Sequence, residues 1–289
     1  MSEIYLPETL TDLWPRLQPD NNAVAVFAGG TDLFVQIRAG KRPEPEVLIG
    51  LERLTELKNI AAEPGFIAIG AAASHEEIRE NPLVTKNFPL LVEALGEIGS
   101  PQIRTMGTLG GNLMTASPAA DGLPPLYLYE AEVELATAGG TRRVKIADFI
   151  TGPGHTGIEP GEILTRILLP LPPTLKQTLF IKVGLRRALA IAVVSLAALY
   201  ELDSLGRITG IRLAWGSLGP TVVRLPEVEA WLCGRKPDPE TLTEAGRLVS
   251  ERVKPISDIR AGADYRRTLA GRLLLRLADV MQTRKVAAQ

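Results

Sequence analysis

One stretch limits the folds open to this chain more than any other: Met106-Gly107-Thr108-Leu109-Gly110-Gly111-Asn112-Leu113. Two adjacent glycines follow a hydroxyl and precede an amide. A glycine pair lets the backbone take positive φ and lets a bulky group approach the main chain. Successive free N–H groups in such a turn make a concave anion site. The stretch therefore admits two readings, a phosphate or pyrophosphate cradle and a tight turn before a strand, and glycine pairs are ordinary turn chemistry.

The chain holds two more glycine pairs, and they read differently. Ala23-Val24-Ala25-Val26-Phe27 is a short apolar strand that runs into Ala28-Gly29-Gly30-Thr31-Asp32-Leu33, and Leu33 to Arg38 reads as a helix ended by Gly40. Strand, glycine turn and helix in that order are a workable phosphate site. Asp32 would repel phosphate, so it is expected to cap the helix or to accept a hydroxyl hydrogen bond. Gly139-Gly140 instead joins Ala131–Thr137, which alternates as a strand should, to Arg142–Ile146, and reads as a hairpin turn. Gly152-Pro153-Gly154-His155-Thr156-Gly157 matches the G-x-G-x-x-G dinucleotide fingerprint. The fingerprint needs a helix after it. Pro153 within it and Pro160-Gly161 beyond it forbid one, so it is read as a structural loop.

Periodicity fills in the rest. Residues 6 to 18 read as a helix with Leu10, Leu13, Trp14 and Leu17 on one face, followed by a turn at Asn21-Asn22. Val47–Gly50 is a strand, Leu51–Leu57 a short amphipathic segment, and Phe66–Gly70 with Ala71-Ala72-Ala73 a strand. Ser74 and Glu77 make a capping box for a helix, and Phe88–Ile98 is another helix. Glu162–Leu169 is a strand, and Pro170-Leu171-Pro172-Pro173 is a stiff link between domains. Beyond it Leu179–Val183 and Arg207–Gly216 read as strands, and Ile191–Leu202 as strand or helix. Glu240–Ser250 and Tyr265–Met281 read as helices, the latter with Leu269, Leu273, Leu274 and Leu277 on one face and Arg266, Arg267, Arg272 and Arg276 on a solvated or interface face.

Composition excludes several classes of function. The chain has 289 residues, 45% of them hydrophobic, enough for two domains. Its 32 basic and 33 acidic residues leave a net charge of -1, which steers it to neither nucleic acid nor an anionic membrane. One cysteine, Cys233, excludes an internal disulfide and a cysteine-ligated zinc or iron–sulfur site made by this chain alone. Cys233 is expected to be a small buried residue. His75 is expected on the surface, and His155 lies in a loop. The start carries no signal-peptide pattern, and the apolar run Leu189–Tyr200 is too short to span a bilayer. The expected compartment is the cytoplasm, with no transmembrane segment.

Four motifs occur in order: Ala28-Gly29-Gly30-Thr31-Asp32-Leu33, Thr108-Leu109-Gly110-Gly111-Asn112, Ser117-Pro118-Ala119-Ala120-Asp121 and Gly161-Glu162-Ile163-Leu164. Pro255–Arg260 and Asp264-Tyr265-Arg266-Arg267 close the chain. The set resembles the FAD-binding medium subunit of molybdenum hydroxylases, the family of carbon monoxide dehydrogenase and xanthine dehydrogenase, over nearly the whole chain. The resemblance implies an α+β fold that is not a Rossmann domain. Its FAD-binding domain, of the vanillyl-alcohol-oxidase (PCMH) type, would span 1–172, with subdomains about 1–58 and 59–172, and a small α+β domain would span 173–289.

By resemblance, the cofactor-binding residues are Val26, Phe27, Ala28, Gly29, Gly30, Thr31, Asp32, Leu33, Ile98, Thr108, Leu109, Gly110, Gly111, Asn112, Asp121, Leu164 and Lys182. The two glycine loops would hold the pyrophosphate mostly through backbone N–H groups. Asp121 would accept from ribose or adenine donors, and Lys182 would favour a reduced, anionic flavin. No catalytic acid, base or metal ligand is expected of this chain. The [2Fe–2S] clusters and the molybdenum cofactor would sit on an iron–sulfur small subunit and a large subunit, with NAD, a quinone or another carrier as external acceptor. The alternative is a stand-alone FAD-dependent oxidase or dehydrogenase on a related fold.

Overall fold

The computed structural model describes residues 2–17, 23–171 and 175–278. The expected turn at Asn21-Asn22, the last residue of the first helix, Pro172-Pro173 of the link and the end of the last helix lie outside the described residues. The chain forms two compact units that alternate along the sequence. One comprises Met1–Phe88, Ile98–Ser117 and Glu130–Leu171, and the other Pro89–Glu97, Pro118–Tyr129 and Pro172–Gln289.

The first unit carries two main sheets. Strands β1 (Glu3–Tyr5), β2 (Val24–Phe27) and β3 (Val47–Gly50) make a parallel sheet ordered β1-β3-β2. β3 is central and buried, and Ile49 joins Leu13, Leu51, Leu54 and Leu57 in a core cluster. The second sheet is antiparallel. It contains β4 (Ile60–Glu63), β5 (Phe66–Gly70), β6 (Glu132–Thr137), β7 (Gly140–Lys145) and, after the two-stranded hairpin β8 (Ile150–Gly152) and β9 (His155–Thr156), β10 (Ile163–Pro170). Its order is β4-β5-β10-β6-β7. The hairpin at Gly139-Gly140 is as expected, and the fingerprint-like segment lies in the β8–β9 hairpin and opens no helix.

The second unit is built on an antiparallel sheet of β11 (Gln177–Gly184), β12 (Ala192–Leu202), β13 (Ile208–Gly216) and β14 (Val223–Arg224). Periodicity left β12 open because every position from Ala192 to Tyr200 is buried. The helices Leu123–Leu128 and Ala263–Arg272 both contact it, and a strand without a wet face shows no alternation.

Several expectations fail for physical reasons. The first helix is shorter, Leu10–Leu13 plus one 3-10 turn, because Thr9 is its cap and Asp12 completes the capping box. Ala71-Ala72-Ala73 leaves the sheet, its N–H groups bonding to Thr165, Leu57 and Gly70 carbonyls. Cys233 is exposed, since the helix Pro226–Leu232 ends just before it. Arg266 is buried, not solvated: it donates to the carbonyls of Val193 and Ser217 and to Asp258 Oδ1, which compensate its charge. The helix Phe88–Ile98 is observed as Pro89–Gly96, and the box of Ser74 and Glu77 is present at His75–Glu80.

Candidate functional site

A cleft of about 560 Å³ opens in the first unit, within the range of cofactor sites. Ala28 to Leu33 line it, with Val26, Phe27, Ile98, Thr108, Gly110, Gly111, Asn112 and Leu164. The structure thus brings together the two glycine loops and the 164 position. Leu109 is also at the second loop but points into the core, fully buried, and does not line the cleft.

The first loop is an anion nest. Gly30 has φ +66°, and none of the backbone N–H groups of Gly29, Gly30, Thr31, Asp32 and Leu33 donates to an acceptor among the described residues. Five unused donors around a left-handed glycine suit an anionic ligand. The loop is fixed by close packing, since a Cβ on Gly29 would fall 1.8 Å from the Met106 carbonyl oxygen. Asp32 does not cap the following helix: its backbone is helical (φ -108°, ψ -48°), which turns the side chain away from the first N–H groups. It accepts instead from Gln36 Nε2 (2.6 Å) and from the Thr115 hydroxyl (2.9 Å).

The second loop is neither of the structures expected for it. Thr108 is the N-cap of a helix, Leu109–Thr115, and Gly110 and Gly111 lie inside that helix without positive φ. Its first N–H groups are all engaged: Leu109 donates to Ala73, Gly110 to Ala71, Gly111 to Thr108 Oγ1 and Asn112 to the Thr108 carbonyl. Glycine is needed at 110 for packing, as a Cβ there would lie 2.5 Å from the Ala71 oxygen. At 111 the nearest atom to a Cβ is Thr108 Oγ1 at 2.9 Å, so the helix face beside the cleft stays low. This loop offers the cleft shape and one side chain. Asn112 Oδ1 is buried and has no hydrogen-bond partner.

His75 corrects the surface expectation. It is 3% exposed and lines the cleft, and its Nδ1 is buried without a partner. Burial, aided by the Arg104 charge, pulls its pKa down to about 4, so the imidazole is neutral at pH 7. The acids that line the cleft already have partners, Asp32 as above and Glu162 with Arg142 (2.6 Å). Arg42 also lines it and forms no ion pair among the described residues. His155 is exposed, its Nδ1 2.8 Å from the Pro153 oxygen. Sequence reasoning missed His75 and Arg42. The capping box located the helix that His75 begins, but which face that helix buries is a tertiary fact.

Asp121 and Lys182 belong to the second unit, where they meet. Lys182 is not a solvent lysine. Its Nζ donates to Asp121 Oδ2 (2.6 Å) and to the Glu97 carbonyl (2.9 Å), with both side chains nearly buried. Burial pushes the Asp121 carboxyl up to about 6, Lys182 opposing and Glu97 adding to the rise. Asp121 Oδ1 is buried and unpartnered.

Two known families match successive parts of this sequence. The FAD binding domain in molybdopterin dehydrogenase matches residues 1–172, and the CO dehydrogenase flavoprotein C-terminal domain matches residues 180–280. The chain belongs to the FAD-binding subunits of the molybdenum hydroxylases. Within this family, the nicotinate dehydrogenase FAD-subunit of Eubacterium barkeri is 31% identical over 269 residues, 92% of this chain and 90% of its own. Quinoline 2-oxidoreductase from Pseudomonas putida 86 superposes with a TM-score of 0.90 at 28% identity, covering 96% and 95% of the two chains. A Cu,Mo-CO dehydrogenase chain gives 0.87 at 28%, covering 95% of each. The fold is therefore the mixed α+β flavoprotein fold of this family, and the chain is an oxidoreductase subunit with FAD as its cofactor.

The residues present fit that cofactor. The cleft has room for a large ligand, five unused N–H donors for an anion, and two buried unpartnered polar atoms, Asn112 Oδ1 and His75 Nδ1. The two buried atoms each carry a cost that a polar partner removes. Among the described residues no helix is long and apolar enough to cross a membrane, and no cluster of histidine, cysteine or carboxylate side chains could hold a metal ion.

Proposed function

We propose that this chain is the electron-transfer flavoprotein subunit of a cytoplasmic molybdenum hydroxylase complex. Bound FAD would take electrons from [2Fe–2S] clusters of a small subunit and pass them to an external acceptor, the large subunit holding the molybdenum cofactor. The single observation that carries this reading is the set of free N–H groups from Gly29 to Leu33 in a cleft of cofactor size, in a chain of this family.

In this reading the chain's residues bind and orient and do no acid–base chemistry. The N–H groups of the first loop and the Arg42 guanidinium would meet the pyrophosphate, with the Thr31 hydroxyl beside them. Gly111 keeps the helix surface low, and Asn112 can both donate and accept. Val26, Phe27, Ile98 and Leu164 give the cleft apolar walls that exclude water. Lys182 is held by a carboxylate, so its charge is compensated within its own unit, and its role is to pin Asp121 and the end of the helix Pro89–Gly96. Titrating the purified chain with FAD and following flavin fluorescence tests the binding step. Retention of FAD through gel filtration is expected, and failure to bind under any condition overturns the proposal. The holo-chain should be reduced by a reduced iron–sulfur protein and not by purines, aldehydes or nicotinate alone. Reduction by one of those small substrates alone would favour a stand-alone dehydrogenase.

A further inference from the structure

The first loop is fixed at its start by packing. Gly29 lies against the Met106 carbonyl, and a Cβ on Gly30 would run into the Phe34 ring, which itself packs edge-on to Phe27 with centroids 5.0 Å apart. At its end the loop is fixed by one carboxylate oxygen. Asp32 Oδ2 accepts from Gln36 Nε2 of the helix Leu33–Arg38 (2.6 Å) and from Thr115 Oγ1 of the helix Leu109–Thr115 (2.9 Å). Among the described residues no other hydrogen bond joins residues 29–33 to the helix of the second loop. Gln36 passes the tie onward, since its carbonyl accepts from the N–H groups of Lys41 (3.0 Å) and Arg42 (3.4 Å). Asp32, Gln36, Thr115 and Arg42 all line the cleft.

A carboxylate beside an anion nest opposes the anion by its charge, so whatever Asp32 adds to binding comes through the bonds it accepts. Those bonds are worth little to the ligand-free fold. Asp32 is exposed, and water competes for both donors. Thr115 also has a second acceptor, the Gly111 carbonyl at 3.0 Å, to which its one proton can turn. A ligand seated on the nest excludes that water, and the same bonds strengthen. We infer that Asp32 is a positioning residue: by holding Gln36 and Thr115 on one oxygen it locks the N–H groups of Gly29 to Leu33 in the open arrangement that a pyrophosphate needs, and it acts on the cofactor only through that lock. This rests on the FAD reading above and deepens it by naming what keeps the nest in shape.

The test uses the full chain with FAD and ADP as probes, followed by flavin fluorescence and calorimetry. Wild type is expected to bind both. Asp32→Ala is expected to lose about tenfold in affinity for each, two bonds to a charged acceptor being set against a relieved repulsion. ADP carries the pyrophosphate without the flavin, so equal losses for the two probes place the effect at the nest. The apo form of Asp32→Ala is expected to melt within about 2 °C of wild type, the range of surface substitutions. Asp32→Asn keeps an acceptor oxygen and removes the charge, and is expected to bind at least as tightly as wild type. Thr115→Val breaks one bond from the helix side and leaves the loop sequence intact; about threefold should be lost. The double variant Asp32→Ala with Thr115→Val should lose no more than Asp32→Ala alone, because the shared bond is already gone. If wild type binds FAD and Asp32→Ala binds it equally well, the inference falls and the FAD reading stands. A loss in Asp32→Asn as large as in Asp32→Ala would assign the effect to the charge, and losses that add in the double variant would make Asp32 a direct contact; either overturns the inference. So does a larger fall in the apo melting temperature of Asp32→Ala, which would make Asp32 a structural residue. If wild type binds neither probe, the inference and the FAD reading fall together.

Discussion

Replacing Lys182 by methionine removes the charge from a buried pair without emptying the space its stem fills. Burial holds the Asp121 carboxyl at about 6 against an ordinary 3.8, even with Nζ 2.6 Å away. A carboxyl raised on folding contributes stability that is present below pH 3.8 and lost as pH rises through about 6. In wild type above that range the loss levels off at about 3 kcal/mol, the gap in pKa multiplied by about 1.36 kcal/mol. In Lys182→Met the carboxyl has lost its counter-ion and stays protonated in the folded state, so at pH 7 the loss rises to about 4.4 kcal/mol. The lost charge-assisted bond from Nζ to the Glu97 carbonyl adds about 1.5–3 kcal/mol. The expected deficit at pH 7 is about 3–4 kcal/mol, within the ordinary cost of breaking a buried pair from one side. At pH 5 Asp121 is largely protonated in both proteins and only the hydrogen-bond part remains. By pH 8 the carboxyl part alone reaches about 2.7 kcal/mol. The assay is urea unfolding of apo-protein at pH 5, 7 and 8, followed by tryptophan fluorescence in a Trp14→Phe background. Trp215 and Trp231 then report the second unit, and Trp215 is fully buried. A deficit below about 0.5 kcal/mol, the range of ordinary surface substitutions, refutes the reasoning. So does a deficit that does not grow from pH 5 to 8.

Three further outcomes follow from the cleft. Gly29→Ala should destabilise the apo-protein by about 3 kcal/mol or more, because the new methyl meets a backbone carbonyl that cannot rotate away, whereas Gly111→Ala should stay within about 1 kcal/mol, since a weakened Thr108 cap is offset by better helix propensity; thermal melts of the two variants check this. Asn112→Leu should weaken FAD binding about tenfold in a fluorescence titration and leave the apo melting temperature unchanged or raised, as Oδ1 has no partner to lose. Acidification from pH 6.5 towards 4 should destabilise wild type relative to His75→Phe, because the unfolded state protonates His75 first and the buried imidazole resists, while the opposing gain from Asp121 over the same range is common to both proteins. The full effect of that resistance is about 3 kcal/mol, and it should be absent in His75→Phe by urea unfolding across that range.

Most of the strands were legible because they are short apolar or alternating runs with turn residues marking their ends. Glu132–Thr137 and its return strand alternate and meet at a glycine pair, and the structure pairs them in that register. The capping box at Ser74 was legible because it is a local hydrogen-bond pattern written in adjacent residues. The family was legible from the order of motifs, though not from any one of them. What the glycines do was not. Gly29-Gly30 and Gly110-Gly111 look alike in sequence, yet one pair is a loop with its N–H groups free and the other is a stretch of helix with its N–H groups engaged.

The sequence by itself determined the α+β class, the family and the two loops that line the cleft, because these rest on local pattern and on residues adjacent in the chain. Only the tertiary structure decided which loop keeps its donors, since Ala71 and Ala73, far from the second loop in sequence, supply the carbonyls that occupy two of them. It also decided that His75 faces inward and that Lys182 is spent on Asp121. Burial and pairing are set by what packs against a residue, and that neighbour is a separate stretch of chain in each of these cases.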